Sequence, residues 1–209
     1  MTTLINFAFL REGTSDDGLM PHLRELLVRA GLEEVVGTAR DYKGAVVDCL
    51  RQVLDEEAPV DVIFVHRDSD SRSDRAPRNE IAGAVQTLGD GLTAEVVPVV
   101  PIQELEAWIL LDEAAIRTVV GKPSKRNPLA VPRPNRIEHT ASPKEVLQRA
   151  LLDASNTTGR RHKEERRRFP DRRRTLLERI DIDGPIRELS AWQSLERDIE
   201  EAAANLLAR

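Results

Sequence analysis

Aromatic side chains are scarce in this 209-residue chain, 3% in all with one tyrosine, so the stacking platforms that grip single-stranded nucleic acid have little to be built from. The one cysteine, Cys49, excludes an internal disulfide and any cysteine-rich zinc module. Val46, Leu50 and Val53 flank it at helical spacing, which predicts a core residue. No apolar run approaches the ~18 residues of a membrane span. The N-terminus lacks the basic segment and apolar stretch of a secretory signal, and the expectation is a cytoplasmic protein. No repeat of solenoid length is present.

What the chain does hold is charge, 32% of residues against 40% hydrophobic. That balance belongs to a globular protein with a core of Leu, Val, Ile and Ala under a charged surface. The net charge of −5 is unevenly spread. Between Arg160 and Arg174 stand nine basic residues (Arg160, Arg161, Lys163, Arg166, Arg167, Arg168, Arg172, Arg173, Arg174) against three acids, a local +6 that leaves the remainder at −11.

Apolar runs at Leu4–Leu10, Val35–Thr38, Val60–His66 and Ala94–Val100 predict strands. Helical periodicity follows each of them: Leu19 to Ala30, Ala45–Glu56, Arg75–Leu88, and a helix from about Gln103 through Leu105, Trp108, Leu111 and Ile116. The order βαβαβαβα predicts an α/β fold, a Rossmann-like, mostly parallel four-stranded sheet with helices on both faces, over residues 1–120. Residues 121–209 are expected to form a helical C-terminal extension packed on it as one unit. Prolines 123, 128, 132, 134 and 143 break its first part into a loop or lid whose Leu129, Val131 and Ile137 can pack. Ser142 and Pro143 open a helix over Lys144–Asp153, and Leu189 to Leu206 mark a closing amphipathic helix.

Two strands end in acids. Leu4–Leu10 runs into Glu12, and Val60–His66 into Asp68 and Asp70. Ligand sites in such sheets lie outside the carboxyl ends of the strands, so these three carboxylates are expected to meet at one edge and bind a divalent metal. Asp68 and Asp70 share an ion only if the chain turns at Ser69. Glu104 and Glu106, after the fourth strand, are candidates for a second ion. Gly13, Thr14 and Ser15 precede a helix N-terminus, where free N–H groups favour phosphate, and Lys43 reads either as a phosphate contact or as a solvated lysine. The plainer expectations are that Asp16 and Asp17 cap a helix, that Asp74 caps or faces water, and that His66 is a hydrogen-bonded structural histidine. The basic run fits a grip on a phosphate backbone and equally an exposed helix with a Glu164–Arg168 pair.

The segment EGTSD at 12–16 and DSD at 68–70, separated by room for a helix, a strand and a helix, resembles the Toprim domain of topoisomerases, bacterial primases, OLD nucleases and small RNA-maturing nucleases. With the downstream EAW at 106–108, the chain is most similar within that group to the bacterial family designated domain of unknown function 4276. The resemblance implies Glu12 as general acid/base or metal ligand, and Asp68 and Asp70 as ligands of Mg2+ or Mn2+. A topoisomerase needs a nucleophilic tyrosine from a separate domain, whereas Tyr42 lies inside the expected fold. A primase needs a polymerase domain that this length does not hold. What remains is a magnesium-dependent nuclease or phosphodiesterase, the effector of a bacterial defence or repair system, with nucleic acid as partner. The alternatives are a non-catalytic subunit that docks an ATPase and a small-molecule phosphohydrolase. The sequence leaves a homo-oligomer open.

Overall fold

Ile5, Phe7 and Phe9 alternate with Ala8 and Leu10, which gives strand β1 (Leu4–Arg11) two apolar faces and places it inside the sheet. The computed structural model describes residues 3–41, 43–56 and 58–209, and Tyr42 lies outside them. β1 pairs in parallel with β2 (Glu34–Asp41) on one side and β3 (Val62–His66) on the other, and β4 (Glu95–Val99) follows β3, so the order is β2-β1-β3-β4, all parallel. The chain steps from β1 to β2 and then returns to the opposite flank of β1. The reversal opens a crevice between the carboxyl ends of β1 and β3, where such sheets place their ligands.

One face of the sheet packs Ala8, Leu10, Ile63 and Val65 against α2 (Val46–Leu54) and α3 (Arg75–Leu88), with Cys49 in that core as expected. The other face packs Phe7, Phe9, Phe64, Val97 and Val99 against α1 (Met20–Arg29) and against the C-terminal half of the chain. Phe7 and Phe64 meet edge to face at 5.3 Å, and Trp108 and Trp192 do the same at 5.1 Å, a geometry favoured by the ring quadrupole. Because Trp192, Leu195 and Ile199 share this core with Phe7 and Leu23, residues 121–209 and the sheet are built around one interior.

Several elements differ from the periodicity. β2 extends to Asp41, because β1 offers it a partner along its whole length. The helix after β4 divides into α4 (Glu106–Ile109) and α5 (Glu113–Val119), the second capped by Asp112 Oδ1 on Ala115 N. The proline-rich stretch holds only a 3-10 turn at Pro134–His139, but Leu129 and Ile137 are buried, so it is a packed loop. Ser142 precedes α6 (Pro143–Ser155) yet is left-handed and makes no cap bond. The carboxylate of Glu104 accepts from Lys144 N in its place at 2.8 Å. The basic run folds as two helices, α7 (Gly159–Arg167) and α8 (Phe169–Leu177), and α9 (Ser190–Leu207) closes the chain.

Helix α8 lies hard against the 3-10 helix Thr14–Leu19 that follows β1. A Cβ on Gly18 would stand 2.6 Å from Arg174 O and 2.7 Å from Leu177 Cβ, so only glycine lets the two backbones approach this closely. Gly18→Ala is expected to cost about 1–3 kcal/mol through overpacking, read as a lower urea midpoint at unchanged slope.

Candidate active site

Glu12 follows β1, Asp68 follows β3, and Glu104 and Glu106 follow β4. Beyond the sheet the two central connections run on side by side, Arg67 N bonding Val99 O, Ser69 N bonding Pro101 O and Asp70 N bonding Gln103 O. This carries Asp68 and Glu104 past the strand ends together. All four acids line one cavity of about 270 Å³, with Gly13, Ser15, Asp16 and His66. Its remaining wall comes from the C-terminal extension: Lys144 of α6, and Phe169, Pro170 and Arg173 of α8.

The floor of the cavity is a chain of alternating charge. The His66 ring, 1% exposed, lies between Asp16 Oδ2 on Nδ1 and Asp68 Oδ1 on Nε2, each at 3.2 Å. Arg173 donates from Nη1 to Asp16 Oδ1 at 2.5 Å and to Ser15 Oγ at 2.6 Å, and from Nε to Glu106 Oε1 at 2.8 Å. Asp68 Oδ1 also accepts from Leu105 N at 3.0 Å. Burial by itself favours a neutral imidazole, but the hydrogen bonds and charges of Asp16 and Asp68 outweigh it and push His66 up to about 10. Against its own burial, Asp16 is held below the ordinary carboxylate range by His66 and Arg173. Two acids at the cavity go the other way. Burial raises Glu12, with Asp68 and Asp16 adding to it against His66 and Arg67, and burial raises Glu104, with Glu106 and Asp68 adding to it against the amide of Lys144.

The cavity faces of Glu12, Asp68 and Glu104 are an all-oxygen donor set. Among the described residues no three Asp, Glu, His or Cys side chains form a ready-made metal cage. A hard ion such as magnesium does not need one, since it commonly takes one or two carboxylates and completes its shell with water and phosphate oxygens. The donors fit that mode and not a closed protein cage.

The expected residues thus divide. Glu12, Asp68, Glu104 and Glu106 converge, with Gly13 and Ser15 beside them. Asp70 does not join them: its backbone is left-handed (φ 49) and its side chain exposed. The expectation that a turn is needed to bring it to Asp68 is reversed here: residues two apart on an extended chain share a face, and the left-handed turn at Asp70 takes it away from Asp68 and the cavity. Thr14 and Lys43 are exposed and outside the cavity wall. The stretch after Gly13 is a six-residue 3-10 helix, and the amide of Gly13, one of the N–H groups expected to meet a phosphate, is taken by Asp16 Oδ2 at 3.0 Å. Asp16 and Asp17 do not cap α1, which begins after Leu19 without a side-chain cap. Asp16 is the third residue of the 3-10 helix, reaching back to the amide of Gly13, and a buried ion-pair partner, and Asp17 pairs with Arg11 at 3.0 Å. His66 is hydrogen-bonded as expected.

In the basic run, Arg173 is buried and Arg172 pairs with Glu165 at 2.8 Å, so neither belongs to an open basic surface, while Arg168 and Arg174 pair with Glu164 and Glu178. Arg160, Arg161, Lys163, Arg166 and Arg167 remain exposed on α7. The role of Arg173 had a signal in the spacing, for it shares a helical face with Phe169, Leu176 and Leu177.

Folded His66 keeps its proton to about pH 10, and the unfolded chain releases it near 6.5. Its stabilisation is therefore complete below pH 6.5 and is lost as pH rises through 10. The thermal midpoint should fall across that window, and His66→Gln should start lower and show a shallower fall. Arg173→Met strands Asp16 and Glu106 in the interior and is expected to cost about 3–5 kcal/mol, measured by urea denaturation. In comparisons with protein-family models, curated proteins and solved structures, nothing matches this chain.

Proposed function

We propose that the chain is a metal-dependent phosphodiester hydrolase of Toprim type acting on nucleic acid. The observation that carries this is the meeting of Glu12, Asp68 and Glu104, from the ends of three strands, around one cavity at the point where the strand order reverses. Glu12, Asp68 and Glu104 would hold a magnesium or manganese ion there, and such an ion would supply activation of water and neutralisation of charge on the phosphoryl group. Asp68, backed by His66 and by the amide of Leu105, has the rigid orientation of an ion-holding carboxylate.

Glu12 is suited to proton transfer, because its raised pKa brings it closer to the working range of a general acid or base. Lys144 sits exposed at the lip, where it can meet a phosphate. Arg173, fully engaged with Ser15, Asp16 and Glu106, positions the acids and does not reach the substrate. The exposed cations of α7 lead directly into α8, whose Phe169 and Pro170 form the cavity wall, and this offers a track for a phosphate backbone.

The cavity is small, about 270 Å³, near the lower bound for small-ligand sites, which favours a small phosphate ester as the second reading. The purified chain, incubated with magnesium or manganese, is expected to cleave DNA or RNA and to stop on chelation. Asp68→Ala and Glu12→Gln should each lower cleavage on the order of 10²-fold or more with the circular dichroism spectrum unchanged, and Asp70→Ala should lower it far less. Turnover of phosphate monoesters with nucleic acid left intact selects the second reading, and folded protein inactive on both substrate classes rejects the hydrolase. Replacing Arg160, Arg161 and Arg167 by alanine should weaken nucleic-acid binding and flatten its salt dependence by about 0.9 in slope for each phosphate no longer neutralised on duplex DNA.

A further inference from the structure

The two edges of the sheet are treated differently. β4 carries Pro98, packs against α9, and has Glu95 bonded by Asn205 and Arg209 from that end of the chain, the usual ways of blunting an edge. β2, the opposite edge, is eight residues long and has neither proline nor lysine. Val35 enters the core on the α1 face, so Glu34, Val36, Thr38 and Arg40 point to the other face. The helices α2 and α3 bury no β2 residue among those described. Val36 is 52% exposed, and Leu4, opposite Glu34 on β1, is 48% exposed.

The open main-chain groups can be identified. Asn6 bonds Asp61 through both its N–H and its C=O on the β3 side of β1. The odd residues of β1 therefore turn toward β2 and engage its even residues, leaving the N–H and C=O of Val35, Gly37 and Ala39 facing outward. In keeping with that, the carbonyls of Val35 and Ala39 each take one bond from a side chain, Arg24 and Arg40, which leaves each a second lone pair, and no side chain among the described residues bonds their amides.

We propose that β2 pairs antiparallel with β2 of a second copy of this chain across a two-fold axis at Gly37, joining the two sheets into one. Outward-facing residues must oppose outward-facing ones, which restricts the register to steps that keep the two faces in line. Among these, centring on Gly37 sets Glu34 against the partner's Arg40 at both ends and Val36 against the partner's Thr38. Centring on Thr38 sets Val36 against the partner's Arg40, and centring on Val36 sets Glu34 against the partner's Thr38. Only the first sets opposite charges together on the face of Val36; on the other face Asp41, which pairs with Arg11 in its own chain, comes opposite the partner's Glu33 at the ends of the strand pair. Arg40 already bonds Glu56 through Nε and Nη2, but among the described residues its Nη1 reaches the Ala39 carbonyl alone, at 3.3 Å, so it has a donor for a second carboxylate. A single strand pair makes a small interface, and the dimer is accordingly weak and concentration-dependent.

Sedimentation equilibrium over a dilution series of the full chain tests this. The mass should rise from one chain toward two with concentration. Glu34→Arg and Arg40→Glu should each stay at one chain, and mixing them should restore the dimer, because each then meets an opposite charge. A wild-type mass of one chain at every concentration overturns the proposal, as does a dimer that survives Glu34→Arg. Because Arg40→Glu also loses Glu56, a second measurement is independent of it. The double variant Val36→Cys, Thr38→Cys should form a disulfide-linked dimer on mild oxidation, since directly opposed residues approach to about 4.5–5.5 Å between Cα atoms. Absence of that linked dimer overturns the register.

Discussion

Two buried cations hold three strand ends and the C-terminal extension together. Asp68, His66, Asp16, Arg173 and Glu106 form a row in which each charge faces its opposite, and every link is a hydrogen bond of 3.2 Å or less. Ions withdrawn from water lose several kcal/mol of solvation each, and the loss is recovered only where geometry and extra donors satisfy them. The amides of Gly13 and Leu105 and the hydroxyl of Ser15 are those extra partners. Removing one member would leave its neighbours charged and unpaired, so the row specifies how β1, β3, the segment after β4 and α8 sit against each other.

The same row sorts the acids of the cavity. Asp16 and Glu106 are committed to Arg173, and Asp68 is anchored by His66 on one oxygen. Glu12 lies 3.6 Å from Arg67, and Glu104 accepts only a main-chain amide at 2.8 Å. Those two carboxyls are the ones that burial and neighbouring acids push upward. Some carboxylates of the site are thus locked by cations while others are pushed toward the protonated form, so their environments move their titrations apart.

Much of this was open to inspection along the chain. The alternation of β1, the apolar run of β3 and the helical spacing of α2, α3 and α9 depend on local periodicity, and each appears where that periodicity places it. Glu12, Asp68, Glu104 and Glu106 follow from the topology, because parallel strands deliver their next residues to one edge. Asp70 did not follow: the polar string after Asp68 signals a turn, but not that the left-handed residue falls at Asp70 and diverts its side chain from the cavity. The inward face of Arg173 could be read from its spacing with Phe169, Leu176 and Leu177, but its partners could not: they stand 157 and 67 positions away, beyond the reach of any local pattern.

The amino-acid sequence alone determined the layered architecture and the edge at which the acids gather, since both are set by hydrophobic period and strand direction. Tertiary structure alone decided which acids face the cavity, which are neutralised, and which of them the buried arginine pairs with. Those outcomes depend on desolvation and on contacts between segments distant in sequence, and neither quantity is carried by a residue's neighbours in the chain.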